Sequence, residues 1–156
     1  MQVNISNKPA KIDRKEIIAA ANFYANTLMN AQLVRNLKID IEFENLHNID
    51  AQCNWDDRNV RPRWFTIQID NRMGRRKVLL NLAHEMVHVK QIAKGHYAGK
   101  CLRNGKVVPT WKGKVVQAKY LDRPWEIEAF KRESILAEML FEYAEKRHKK
   151  AKNKKK

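Results

Sequence analysis

The sequence predicts an α+β domain: an N-terminal helix, a small and mostly antiparallel sheet, a buried central helix, a hairpin, a C-terminal helix and a basic tail. Three observations carry this prediction. Apolar residues recur at helical spacing over 17–29, two segments alternate strictly with period two, and the run 79–89 is apolar on nearly all sides, as in a buried helix. A chain of 156 residues is enough for one domain with a real core and not for two.

Taken in order, the first ten or so residues are expected to be loose. Asp13-Arg14-Lys15-Glu16 has the spacing of a capping box. Behind it Ile17, Ile18, Ala21, Tyr24, Ala25, Leu28 and Met29 share one face, so residues 14–30 form an amphipathic helix that covers a sheet. Leu37-Lys38-Ile39-Asp40-Ile41-Glu42-Phe43 puts apolar groups on odd numbers and polar ones on even, the mark of a half-buried strand. Residues 44–63 are polar and irregular, with short pairing around Ala51–Trp55, and Trp64–Ile69 alternates again. Asp70–Gly74 turns the chain into a helix over 75–93, with Gly95 placed to cap its end. Asn104-Gly105, between short β-prone runs, signals a hairpin, and Val115-Val116 extends this small β region. Pro124 opens the last helix, which runs to about Arg147.

The composition, 44% apolar and 31% charged, is ordinary for a soluble domain, and no apolar run approaches the length that spans a bilayer. Met1-Gln2-Val3-Asn4-Ile5-Ser6 lacks the regions of a secretory signal, and Cys53 and Cys101 make no C-x-x-C motif. A reducing cytoplasm is the expected compartment. The formal charge is +15, and residues 146–156 carry eight Lys or Arg and no acid, leaving +7 for the remainder (15 minus 8). The chain therefore divides into a domain over 1–145 and a disordered basic tail over 146–156. Such a charge favours polyanions, DNA, RNA or an acidic membrane surface, with non-specific nucleic-acid contact through the tail. Binding that survived loss of the tail would place the basic surface in the domain, around Arg72, Arg75, Arg76 and Lys77. The plain alternative is a solvated, solubilising end.

The chemistry concentrates in His84-Glu85-Met86-Val87-His88. Residues four apart on a helix share a face, so two imidazoles can meet one metal ion, and Glu85 sits where a carboxylate reaches a water on that metal. The bland readings are chance or a satisfied structural histidine pair, but histidines and a glutamate inside a Leu/Val/Met/Ala helix are costly without partners. Catalytic zinc usually takes a third protein ligand. A metzincin would need glycine and histidine where Gln91 and Lys94 stand. His96 and the acids of the last helix remain. Glu126 falls on the stripe of Phe130, Ala137, Leu140 and Ala144, with Ala129 leaving room for a close helix; Glu128 lies at the stripe edge. Glu126 is the choice and Glu128 the runner-up, against the plain reading of Glu126 as a helix-start acid. Glu133, two turns on, is placed to hydrogen-bond a ligand histidine.

His84-Glu85-x-x-His88 followed by Pro124-Trp125-Glu126-x-x-Ala129 resembles the gluzincin branch of the zincin metallopeptidases. It is similar to small single-domain phage and bacterial proteins grouped loosely with the SprT-like and ImmA/IrrE-type families. The resemblance implies a minimal zincin-like domain, with Zn2+ on His84, His88 and Glu126 and Glu85 as general base. It also implies that the strand 64–69 edges a cleft where a peptide adds as a strand. The function it implies is zinc-dependent peptide-bond hydrolysis in a cytoplasm (the host's, if phage-encoded), on protein substrates that include nucleic-acid-associated ones. His96, Tyr97, Tyr120 and Arg123 lie in the right part of the chain to stabilise an oxyanion, and nothing in the sequence selects among them. The rival reading is a nucleic-acid-binding protein with a structural or vestigial zinc site.

Overall fold

A computed structural model of the chain describes residues 1–153. The α+β class is as expected. Strand β1 (Gln2–Ser6) leads to helices α1 (Arg14–Leu28) and α2 (Ala31–Arg35), then to strands β2 (Lys38–Glu44), β3 (Ala51–Trp55) and β4 (Trp64–Asp70). Helix α3 (Arg75–Ala93), strands β5 (Tyr97–Cys101), β6 (Val107–Trp111) and β7 (Lys114–Val115), and helix α4 (Pro124–Asn153) complete the order, with one 3-10 turn at Tyr120–Asp122.

The main sheet has the order β1-β2-β4-β3. Its β1–β2 and β2–β4 pairs are parallel and only β3–β4 is antiparallel, whereas the sequence reading had a mostly antiparallel sheet. The hairpin sheet β5-β6-β7 is antiparallel throughout. The difference has two sources: β3 runs back and pairs on the far side of β4, which leaves β2 and β4 parallel, and β1 adds a second parallel pair. Residues 2–6, expected to be loose, alternate Gln-Val-Asn-Ile-Ser and bury Ile5 against the core. β1, α1 and β2 then make a crossover unit, and two strands joined through a helix pair parallel.

One face of the sheet is covered. Ile39, Ile41, Phe43, Phe65, Ile67 and Ile69 are at most 1% exposed and meet α1 and α3. The opposite face carries Asp40, Glu42, Thr66 and Gln68 and is wetter, which is why the alternation was legible. Asp13 caps α1 by accepting from Lys15 N, but Glu16 does not close the box; it pairs with Arg75 at the start of α3. Gly95 (φ 72°) ends α3 as expected: its N–H donates to Ile92 O and that of His96 donates to Gln91 O, the two bonds of a Schellman cap.

Helix α4 lies along α3, with Ala129 fully buried. Contacts that pair Trp125 with Gln91 and Glu133 with His84 show the two helices to be antiparallel. The helix continues to Asn153, so residues 146–153 are helical rather than disordered; 154–156 lie outside the described residues. Lysine, arginine and alanine are good helix formers, and Lys150 and Lys152 sit in the last turn, where cations complement the helix dipole.

Candidate metal centre

His84 and His88 project from the buried middle of α3, one turn apart, toward the first turn of α4. Their Nε2 atoms are 3.1 Å apart, and Glu126 Oε2 lies 3.4 Å from the first and 3.5 Å from the second. A tetrahedral ion with bonds of about 2.0–2.2 Å holds its ligand atoms roughly 3.3–3.6 Å apart. The three atoms have close to that spacing, so His84, His88 and Glu126 form a group that can hold a metal ion.

The tautomers point the same way. Gln91, fully buried, donates its amide N–H groups to Trp125 O (3.0 Å) and Glu128 Oε2 (3.1 Å). Its Oε1 is thereby turned to His88 Nδ1 at 2.9 Å, which must be the donor. His84 Nδ1–H donates to the Glu133 carboxylate at 2.7 Å. Both Nε2 lone pairs then face each other and a carboxylate oxygen. Glu126 Oε2 is buried and, among the described residues, without a hydrogen-bond partner. Three convergent acceptors with no donor between them are chemically a cation site.

The same crowding perturbs the titrations. Burial works against the charged imidazoles of His84 and His88, yet the Glu126 carboxylate beside both, with Glu85, outweighs it and raises their pKa values. Burial also opposes ionisation of Glu126, but the two histidines hold its carboxyl well below the usual range. Glu85 moves the other way: burial pushes its pKa up, and the neighbouring imidazoles only partly offset this. Glu85 lines the site's cavity, a cleft of about 440 Å3.

The cleft separates the remaining candidates. Tyr97, Tyr120 and Arg123 line it, while His96 does not; it sits past the end of α3, edge-on to Trp111. Burial and then Glu126 push the Tyr120 phenol up to about 12. The Arg123 guanidinium lies 5.5 Å over the Tyr120 ring and 5.9 Å over Trp125. Glu128, the runner-up ligand, is instead bound to Lys90 and to Arg132 (3.0 Å) as well as to Gln91. The cleft's strand is also not the one expected. Trp64–Asp70 lies inside the sheet between β2 and β3, and β3 is the outer strand whose Cys53, Asn54 and Trp55 line the cleft. Short pairing at Ala51–Trp55 was expected, but not its place at the cleft, because the pattern of an edge strand buried on neither face does not tell which strand it pairs with.

Sequence reasoning missed Gln91 and Lys90. Two buried polar residues just past the second histidine, in an otherwise apolar run, were the available signal. Comparison with protein-family models, curated proteins and solved structures finds no match to this chain.

Proposed function

We propose that this chain is a zinc-dependent metallopeptidase with Glu85 as its general base. One observation carries the reading: three acceptor atoms converge at near-tetrahedral spacing in the wall of an open cleft, one of them the unpaired, buried oxygen of a carboxylate. Two nitrogens and a carboxylate oxygen form a donor set that suits zinc, and all three of these residues line the open cleft. Zinc held by His84, His88 and Glu126 would polarise a carbonyl and lower the pKa of a water to about 7.

The chain's own residues supply the rest. Glu85, raised by burial, is poised to take a proton from water on its carboxylate and return it to the leaving amine. Tyr120, protonated at neutral pH, and Arg123 can donate hydrogen bonds to the carbonyl oxygen as its charge grows. The outer edge of β3 carries no further strand among the described residues and offers free backbone groups to an extended peptide. Trp55, Tyr97 and Trp125, with ring centroids 6.2 and 4.6 Å apart in succession, make an apolar wall beside that path.

The test is metal content with turnover. About one zinc per chain is expected, lost in the His84→Ala/His88→Ala double variant. Glu85→Gln should keep zinc and fold while abolishing cleavage of a peptide library, because the amide cannot accept the proton. Unchanged turnover in that variant removes Glu85 from the role. Zinc binding without cleavage of any peptide by the wild type favours the structural-zinc rival.

A further inference from the structure

We propose that the groove at the C-terminal end of α3 is a binding site for the phosphodiester backbone of a nucleic acid. The groove, about 460 Å3, lies between α2, the Arg61–Arg63 segment and the end of α3. Arg61, Arg63, Lys94 and His96 line it together with the amides of Asn30 and Gln32, and no carboxylate does.

These cations are available. Among the described residues, no side-chain nitrogen of Arg61, Arg63 or Lys94 forms an ion pair with a carboxylate. From Arg63, Asp57 accepts only the backbone N–H, at 2.7 Å, and the Arg63 guanidinium keeps its charge while donating to Pro62 O and Ala93 O. Of the four cations at Arg72–Lys77, three are the reverse case: Arg72, Arg75 and Lys77 are paired with Asp70, Glu16 and Asp50, while Arg76 lies over the Phe141 ring at 6.0 Å. The helix end does not oppose an anion either. Arg63 Nη1 donates to Ala93 O at 2.8 Å, and the cap bonds from Lys94, Gly95 and His96 take the carbonyls of Lys90, Ile92 and Gln91. Asn30 Oδ1 is used in accepting from Leu33 N, which leaves its amide N–H groups as donors. Burial first, and then the charges of Lys90, Lys112 and Lys94 against the opposing Glu128, lower the pKa of His96.

The form of the groove selects the partner. A lipid surface would need apolar side chains ready to enter it, but the apolar wall here is half-buried Leu33 and buried Ala93. The groove's volume, about 460 Å3, is larger than one small anion fills, and its cations come from two segments, Arg61–Arg63 and Lys94–His96. A chain of phosphates matches a groove lined by several cations and no carboxylate, and the chain's charge of +15. The groove shares no lining residue with the metal centre's cleft and none with the basic end of α4, so it is a contact separate from both.

The experiment uses the full chain and fluorescein-labelled oligo(dT), with affinity followed against salt, with and without EDTA. Each neutralised phosphate on a single strand contributes about 0.7 to the log–log salt slope. Arg61→Ala/Lys94→Ala, both exposed positions, should lower the slope by about 1.4 and weaken binding at low salt. Arg72→Ala/Lys77→Ala, which removes the same charge from carboxylate-paired sites, should leave the slope nearly unchanged. Circular dichroism checks that both variants fold. An unchanged slope in the first variant overturns the proposal. So does displacement of oligo(dT) by inorganic phosphate beyond the effect of chloride at equal ionic strength, which would make the site one for small anions. Loss of binding to phosphatidylserine vesicles without loss of oligo(dT) binding would also overturn it.

Discussion

Replacing Glu126 by glutamine should separate the stability of the metal-free protein from its response to zinc. In the wild type, Glu126 Oε2 is a buried acceptor facing two imidazole lone pairs at 3.4 and 3.5 Å. A buried acceptor left without a partner costs about 1–3 kcal/mol, so an amide, whose N–H groups can donate to those nitrogens, should be neutral or stabilising by up to that amount. The contrast is cleanest near pH 8.5, a condition chosen because protonation of the imidazoles relieves the wild type least there. Zinc has the opposite effect. At 1,000 times its dissociation constant a ligand of the folded state adds about 4.1 kcal/mol. For a chain of this size that is a rise in Tm of about 8–16 °C, at roughly 2–4 °C per kcal/mol. The glutamine variant should lose most of that rise, and Glu128→Gln, which removes a partner of Lys90, should lose stability while keeping it. Thermal unfolding followed by circular dichroism, in EDTA and in excess zinc, measures all of these quantities. If Glu126→Gln is more than about 1 kcal/mol less stable in EDTA and keeps the full zinc rise, the reasoning from convergent acceptors is refuted.

Gln91→Met keeps the volume but leaves His88 Nδ1–H and Trp125 O without partners, so it should cost about 2–4 kcal/mol and weaken zinc binding about 10–100-fold. Chelator competition reads the second effect, and unchanged zinc affinity would show that Gln91 does not orient His88. The pH dependence follows from the raised values of His84, His88 and Glu85, which bind protons more tightly folded than unfolded. Their contribution is complete below the ordinary values, 6.5 for the imidazoles and 4.5 for the carboxyl, and is lost as pH climbs through the raised ones. Denaturant midpoints of the metal-free protein should therefore fall from about pH 6 to 8, and saturating zinc should remove the histidine share. A midpoint that rises over that interval without metal contradicts the assignment.

What was legible in the sequence was what a few neighbouring residues encode. The four-residue spacing of His84 and His88 puts them on one face of any helix, and the apolar run around them makes that helix a buried one. The period of α1 and the alternation of β2 and β4 are equally local, as are the Gly95 cap and the Asn104-Gly105 hairpin, where Gly105 takes φ 79°. The helical wheel went one step further and favoured Glu126 over Glu128, because a stripe is still a local property.

Tertiary structure decided the rest, because each remaining feature depends on which surfaces meet across long stretches of chain. Glu128 is taken by Lys90 and Gln91 only because α4 lies antiparallel on α3. The parallel pairing of β1 with β2 needs the crossover through α1, that of β2 with β4 needs β3 to run back and pair on the far side of β4, and the placing of β3 at the cleft depends on that pairing rather than on its own pattern. Which cations are free is likewise a property of the fold. Arg75 and Lys77 meet carboxylates 59 and 27 residues away, while Arg61 and Lys94, no different in sequence, meet none among the described residues. Local periodicity is set by backbone geometry within a turn or a pleat. Partnership between distant side chains is set by packing, which no short window of sequence contains.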